Sequence, residues 1–315
     1  MTKKIAFLFP GQGSQVVGMG KDLYESYTVV KDIYDRANEI LKKDVVKLCF
    51  EGPEESLKET INTQPCIVTT SIAAKEALQY LTGISPDYVA GHSLGEYSAM
   101  YTAGVMSLDT TLNSIQKRAE LMQEVSGGSM SAVLNATDEQ IKSALEEARK
   151  IGYVDIANYN SPSQIVLTGE EKALDTASKF LLSNGVKRVI PLPVSGAFHS
   201  KMIEDAAKEF YNYVSDIELL DAKIPVYTNV DAAATTFAED FRQKMPVQIT
   251  SSVYWTQTIQ SMISNGVEIF VEIGPGKVLA GLNKKIDTNV TTYNVYDKMS
   301  LENTAEALKA LLTKV

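Results

Sequence analysis

The sequence predicts an α/β protein: one large unit built on a parallel sheet, into which a smaller lobe is inserted. Three observations lead there. The apolar run 5–9 ends in Pro10-Gly11-Gln12-Gly13, a buried strand closed by a tight turn. A second short strand, 88–90, runs straight into Gly91-His92-Ser93-Leu94-Gly95-Glu96 and a helical pattern lasting to about Ala103. Between residues 131 and 194 the order reads strand, helix, strand, strand, helix, strand, which is the ferredoxin-like βαββαβ pattern.

The remaining elements follow in order. Helical periodicity dominates residues 20–81, with breaks at Lys42-Lys43 and at Glu51-Gly52-Pro53-Glu54, and Pro65 is placed at a helix start. Leu108, Leu112, Ile115, Ala119 and Met122 form one apolar stripe, so 108–124 is an amphipathic helix. Gly127-Gly128 breaks it and marks a boundary. Beyond Pro193 long helices return, with strands expected at 224–228 and 268–273; Gly274-Pro275-Gly276 reads as a plain turn, since no Gly-Lys-Ser/Thr pattern follows. At 315 residues the chain is long for one ordinary domain and short for two. The expected division is a large unit of residues 1–127 and 195–315 around an inserted lobe of residues 128–194.

Composition narrows the function classes. An apolar fraction of 44% supplies a sizeable core, and a net charge of −9 argues against nucleic acid or an anionic membrane as partner. Only two cysteines occur, Cys49 and Cys66, without CxxC spacing, so a reduced, cytoplasmic setting is expected. No run has the length or flanks of a membrane span or a signal peptide.

Gly91-His92-Ser93-Leu94-Gly95 matches G-x-S-x-G, a pattern expected about 0.08 times by chance in a chain this long. Its place between a strand and a helix is what a nucleophile elbow requires, and it makes the large unit α/β-hydrolase-like. Ser93 then sits at a helix N-terminus, where free N–H groups favour negative charge. A serine needs a base to take its proton, and the chain has two histidines. His92 adjoins Ser93 and should point away from it in a structural role. His199, in Ser195-Gly196-Ala197-Phe198-His199-Ser200, is the favoured base. No acidic residue declares itself as a third member.

These residues, with Phe9-Pro10-Gly11-Gln12-Gly13-Ser14-Gln15, Gln116-Lys117-Arg118-Ala119, Asn158-Tyr159-Asn160-Ser161-Pro162, Pro246-Val247-Gln248 and Glu272-Ile273-Gly274-Pro275-Gly276, resemble the malonyl-CoA:acyl carrier protein transacylases in order and interval over nearly the whole chain. The resemblance implies transfer of a malonyl group from malonyl-CoA to the phosphopantetheine thiol of an acyl carrier protein, in fatty acid biosynthesis. It implies a Ser93 ester, His199 as base, the Gln248 backbone carbonyl orienting the imidazole, and an oxyanion hole of Gln12 and Leu94 N–H groups. It implies no bound cofactor and no metal, the coenzyme A thioester being the donor.

Arg118 would pair with the malonyl carboxylate. It lies about 60° of helical rotation from Ile115 and so borders the buried stripe; a well-buried arginine left unpaired by a neutral acyl group costs roughly 3–5 kcal/mol. Phe198 resembles the form associated with malonyl rather than branched units. Asn160 either lines the cleft or caps an Asn-Ser-Pro turn. Lys187-Arg188 and Lys284-Lys285 are candidate docking patches for an acidic carrier. A serine esterase or thioesterase would share the elbow and the histidine without needing Arg118, and a non-catalytic carrier-binding protein would need neither.

Overall fold

The computed structural model describes residues 3–125, 127–194 and 196–312. Its strands, in chain order, are β1 (Lys4–Phe9), β2 (Tyr88–Gly91), β3 (Ser129–Leu134), β4 (Val154–Ser161), β5 (Gln164–Gly169), β6 (Arg188–Pro191), β7 (Val226–Tyr227), β8 (Ala234–Thr235), β9 (Val267–Ile273) and β10 (Thr291–Val295). Six form one sheet in the order β10-β9-β1-β2-β7-β8, parallel except for the antiparallel β8. The other four form an antiparallel sheet in the order β4-β5-β3-β6. The protein is thus an α/β fold carrying a ferredoxin-like inserted unit, as expected. Ser195, at which the second expected boundary falls, lies outside the described residues.

Period-two alternation explains why β1 is central. Ile5, Phe7 and Phe9 enter the core on one face with helix Thr60–Thr82, while Ala6 and Leu8 pack on the other against Trp255, Ile259 and Met262. A strand covered on both faces has to read as a continuous apolar run. The small sheet is two-faced as well. Val133, Val154 and Leu167 meet helices Asp138–Ala148 and Glu171–Ser183, whereas Met130, Ala132, Ala157 and Val166 join the main core. The inserted sheet therefore turns its helix-free face to the large unit. Its edge is stitched there by Tyr159 N–H to the Val253 carbonyl at 2.9 Å and Val253 N–H to the Ala157 carbonyl at 2.8 Å.

Several details differ from the sequence reading. Pro65 is not at a helix start but inside helix Thr60–Thr82. It is tolerated because the Ile61 carbonyl, left without its i+4 donor, accepts from Lys43 Nζ at 3.1 Å. The strand expected at 224–228 shrinks to two residues, and β8 and β10 were not expected at all. Strand β10 is Thr-Thr-Tyr-Asn-Val, only partly buried, and so carries little apolar signal.

What positions the site is the register of β1 and β2. Phe9 pairs with Gly91, so the Gly11-Gln12-Gly13 loop and the elbow leave the sheet side by side at the carboxyl ends of their strands. The two glycines of the elbow are required by crowding. A Cβ on Gly91 would collide with the Gly95 carbonyl group, and one on Gly95 with the carbonyl oxygens of Phe9 and Pro10. Backbone cannot yield as a side-chain tip does. Gly95→Ala should lose on the order of 3 kcal/mol or more of stability in urea unfolding; a loss under about 1 kcal/mol would contradict this packing.

Candidate active site

Ser93 sits between β2 and helix Gly95–Thr102 with φ +52°, a left-handed conformation rare for a residue with a side chain. The turn exposes Oγ at the rim of a cavity of about 300 Å³. Gln12, Arg118, Asn158, Phe198 and His199 share its wall, and Met122, Met130 and Leu192 make much of the rest apolar.

His199 Nε2 lies 2.8 Å from Ser93 Oγ. Its Nδ1 faces two backbone carbonyls, Gln248 at 3.0 Å and Ser251 at 3.1 Å. Carbonyls only accept, so Nδ1 carries the proton and Nε2 presents its lone pair to the serine. Both carbonyls belong to the C-terminal end of helix Ala238–Thr250, Ser251 being its C-cap. There the last carbonyls lack intrahelical donors and the helix dipole is negative, which favours the imidazolium formed when the proton arrives. Ser251 went unseen in the sequence, where spacing gives no hint of which carbonyls end a helix beside the histidine.

Arg118 is 1% exposed, more deeply buried than a stripe-bordering residue. Its helix, Leu108–Gln123, also buries Thr111 and Ser114, so a polar seam lies inside beside the apolar one. Nη1 donates to Gln64 Oε1 at 2.6 Å, and Nη2 to Ser93 Oγ at 3.0 Å and Gln248 Oε1 at 3.2 Å. The guanidinium stands 5.7 Å from the centre of the Tyr97 ring. Its Nε has no hydrogen-bond partner, and among the described residues no carboxylate forms an ion pair with it. Gln64 and Gln248 thus brace a buried cation; Gln64, also fully buried, was not foreseen.

Gln12 and Leu94, the expected oxyanion donors, flank Ser93 from the two adjoining loops, and among the described residues neither N–H is taken by an internal acceptor. Phe198 lies on the cavity wall beside the base. Asn160 does not: its Oδ1 is held by His92 Nε2 at 2.7 Å, and Asn158, two residues earlier on β4, lines the cavity instead. His92 leans toward Trp255, its ring centre 5.5 Å away, and stays off the serine. Asn229, absent from the sequence reading, and Glu96, quoted there only as the end of the elbow motif, are both buried.

Burial is the main cause that pushes the His199 pKa down, from 6.5 to about 3, and the Arg118 charge adds to it. The imidazole is therefore neutral, ready to act as a base, across the ordinary pH range. Burial also raises the Glu96 carboxyl to about 7.

A serine with a neutral imidazole at hydrogen-bond range, beside backbone donors without an internal acceptor in a largely apolar cleft, has the geometry that forming and releasing an acyl ester requires. The chain is an acyltransferase. It belongs to the malonyl CoA-acyl carrier protein transacylase family: the acyl transferase domain matches residues 6–315. The malonyl CoA-acyl carrier protein transacylase of Bacillus subtilis (strain 168) is 43% identical over 310 residues, 97% of this chain and 98% of that protein. The solved structure of the malonyl CoA-acyl carrier protein transacylase from Clostridium perfringens is 40% identical, with a TM-score of 0.93 covering 98% of each chain. A malonyl-transacylase solved in complex with its type II PKS acyl-carrier protein is 36% identical, with a TM-score of 0.94 over 96% of this chain and 99% of that one.

The low pKa of His199 sets an expectation. Labelling of Ser93 by a fluorophosphonate should stay level between about pH 5 and pH 8 rather than fall through the ordinary histidine range. Arg118→Ala removes a repelling cation, so it should raise the His199 pKa and move the acid limb upward. A wild-type limb centred near the ordinary value of 6.5 would show that the imidazole is not shielded as its burial requires.

Proposed function

We propose that the chain carries a malonyl group from malonyl-CoA to the phosphopantetheine thiol of an acyl carrier protein through an ester on Ser93, in fatty acid synthesis. The observation that carries this reading is the buried Arg118, bonded to two amide oxygens and a hydroxyl and, among the described residues, to no carboxylate. A guanidinium withdrawn from water without a counter-ion is costly, and a bidentate carboxylate is the partner its geometry suits. A simple esterase gains nothing from it.

The steps follow from the distances. His199 Nε2 takes the Ser93 proton as Oγ attacks the thioester carbon; the C–S bond then breaks and the proton passes to the departing coenzyme A sulfur. The tetrahedral oxygen is held by the Gln12 and Leu94 N–H groups. In the second half the carrier's thiol gives its proton to His199 and attacks the ester. The C–Oγ bond breaks and Ser93 recovers its proton. Arg118 holds the malonyl carboxylate throughout, and Phe198 crowds the space a branched unit would need. The inserted lobe, taken as residues 128–194 within a catalytic unit of 1–127 and 195–315, supplies Met130, Asn158 and Leu192 to the wall and helps keep water from the ester. Asn160 contributes through His92. The free, buried thiols of Cys49 and Cys66 fit a cytoplasmic setting. Among the described residues no helix is long and apolar enough to cross a membrane.

For the carrier, which we take to be acidic, Lys187 and Arg188 are the favoured contact. Both are exposed at the start of β6, whose chain continues into Leu192, Pro193 and Val194 at the cavity. Lys284 and Lys285 are exposed in the last turn of helix Val278–Ile286 and contribute nothing to that wall.

Intact-mass measurement after mixing with malonyl-CoA should show a malonyl adduct on Ser93 that chases onto phosphopantetheinylated carrier protein; an adduct lost only to water would favour the esterase reading. Arg118→Ala should slow malonyl loading roughly 100- to 1,000-fold while acetyl loading rises. Exchanging Lys187 and Arg188 together for glutamate should raise the KM for the carrier several-fold, on the order of a few rim charges, with loading from malonyl-CoA unchanged.

A further inference from the structure

Asn229 lies just beyond β7, fully buried, 136 residues along the chain from the serine it touches. Its side chain spans the elbow. Nδ2 donates to the Gly91 carbonyl at 2.7 Å, and Oδ1 accepts the Ser93 N–H at 2.7 Å. Its main chain is pinned at both ends: the N–H donates to Glu96 Oε2 at 2.7 Å, and the carbonyl accepts from the Tyr254 N–H at 3.0 Å. Glu96 stands three residues after the nucleophile, so the chain of bonds leaves the elbow and returns to it. Gln248 adds a bond from the other side, Nε2 to the Ser93 carbonyl at 3.1 Å.

This arrangement answers two requirements. A left-handed serine persists only where its surroundings over-determine it, and here the carbonyl two residues before it and its own N–H are fixed by one planar group. A carboxamide is the side chain that offers a donor and an acceptor together at this length. The same bond also decides which amide faces the reaction. With its N–H committed to Asn229, Ser93 has none to offer a developing oxyanion, whereas the next one along, Leu94, has no internal acceptor among the described residues.

We propose that Asn229 is a positioning residue for acyl transfer: its carboxamide locks the nucleophile elbow and withdraws the Ser93 N–H, assigning the elbow's oxyanion contact to Leu94. The proposal rests on Ser93 being the nucleophile.

The test compares wild type with Asn229→Ala, which removes both contacts, and with Asn229→Asp, nearly identical in shape, which keeps the acceptor and loses the donor. Thermal unfolding, fluorophosphonate labelling and single-turnover malonylation by intact mass are read together. Asn229→Ala should unfold cooperatively and acylate about 100-fold more slowly at saturation, as misplacement of a reacting atom does, with KM for malonyl-CoA within about threefold. Asn229→Asp should fall between it and wild type. Variants that match the wild-type acylation rate, or that lose only in KM, would overturn the proposal while leaving the nucleophile in place. Should Asn229→Ala not fold, the aspartate variant decides by the same measures, and loss of cooperative unfolding in both would assign Asn229 to the folding framework instead. A wild-type protein neither labelled nor malonylated at Ser93 would overturn the underlying reading too.

Discussion

A buried positive charge with no carboxylate at ion-pair distance among the described residues organises this protein. Arg118 is closed off from water yet meets only neutral oxygens, and much of the surrounding structure follows from that imbalance. Gln64 and Gln248 are themselves buried because a guanidinium needs oriented acceptors where water cannot supply them. The Tyr97 ring adds its electron-rich face. His199 stays neutral partly because a second cation beside the first would be repelled. In the proposed function a carboxylate-bearing acyl group completes the set, relieving the arginine and bringing its carbonyl to Ser93 in one event. In that proposal, selection of the substrate and neutrality of the imidazole are two effects of one charge.

How much of this the sequence discloses depends on where each feature's cause lies. Strand β1 and the elbow were legible because their constraints are local: a two-sided apolar strand, and glycines forced by backbone crowding. His199 was legible by scarcity, there being only two histidines. Arg118 was half legible. Its helix shows an apolar stripe, but the neighbouring buried face of Thr111, Ser114 and Arg118 is polar, and periodicity of hydrophobicity cannot register it. Asn229 was not legible. An asparagine in a short loop reads as a turn former, and its partners are brought to it only when β7 aligns beside β2. The same holds for β10, whose polar sequence becomes a strand because β9 offers it an edge.

The two lobes contribute unequally. Ser93, His199, Arg118 and their braces lie outside the small antiparallel sheet, which brings Met130 and Asn158 to the same cavity. The division follows from packing: a four-stranded sheet with helices on one side has one face left to bury, and burying it here roofs the cleft.

One feature of the base has an evolutionary side. The group that holds the His199 proton is main chain, two carbonyls at a helix end, and no single codon change can delete a carbonyl. A side-chain acid in that place would be one mutation from loss, whereas a substitution at position 248 or 251 alters the side chain and leaves the backbone oxygen standing. The bonds that hold the imidazole's Nδ1 proton thus persist through side-chain change at both positions.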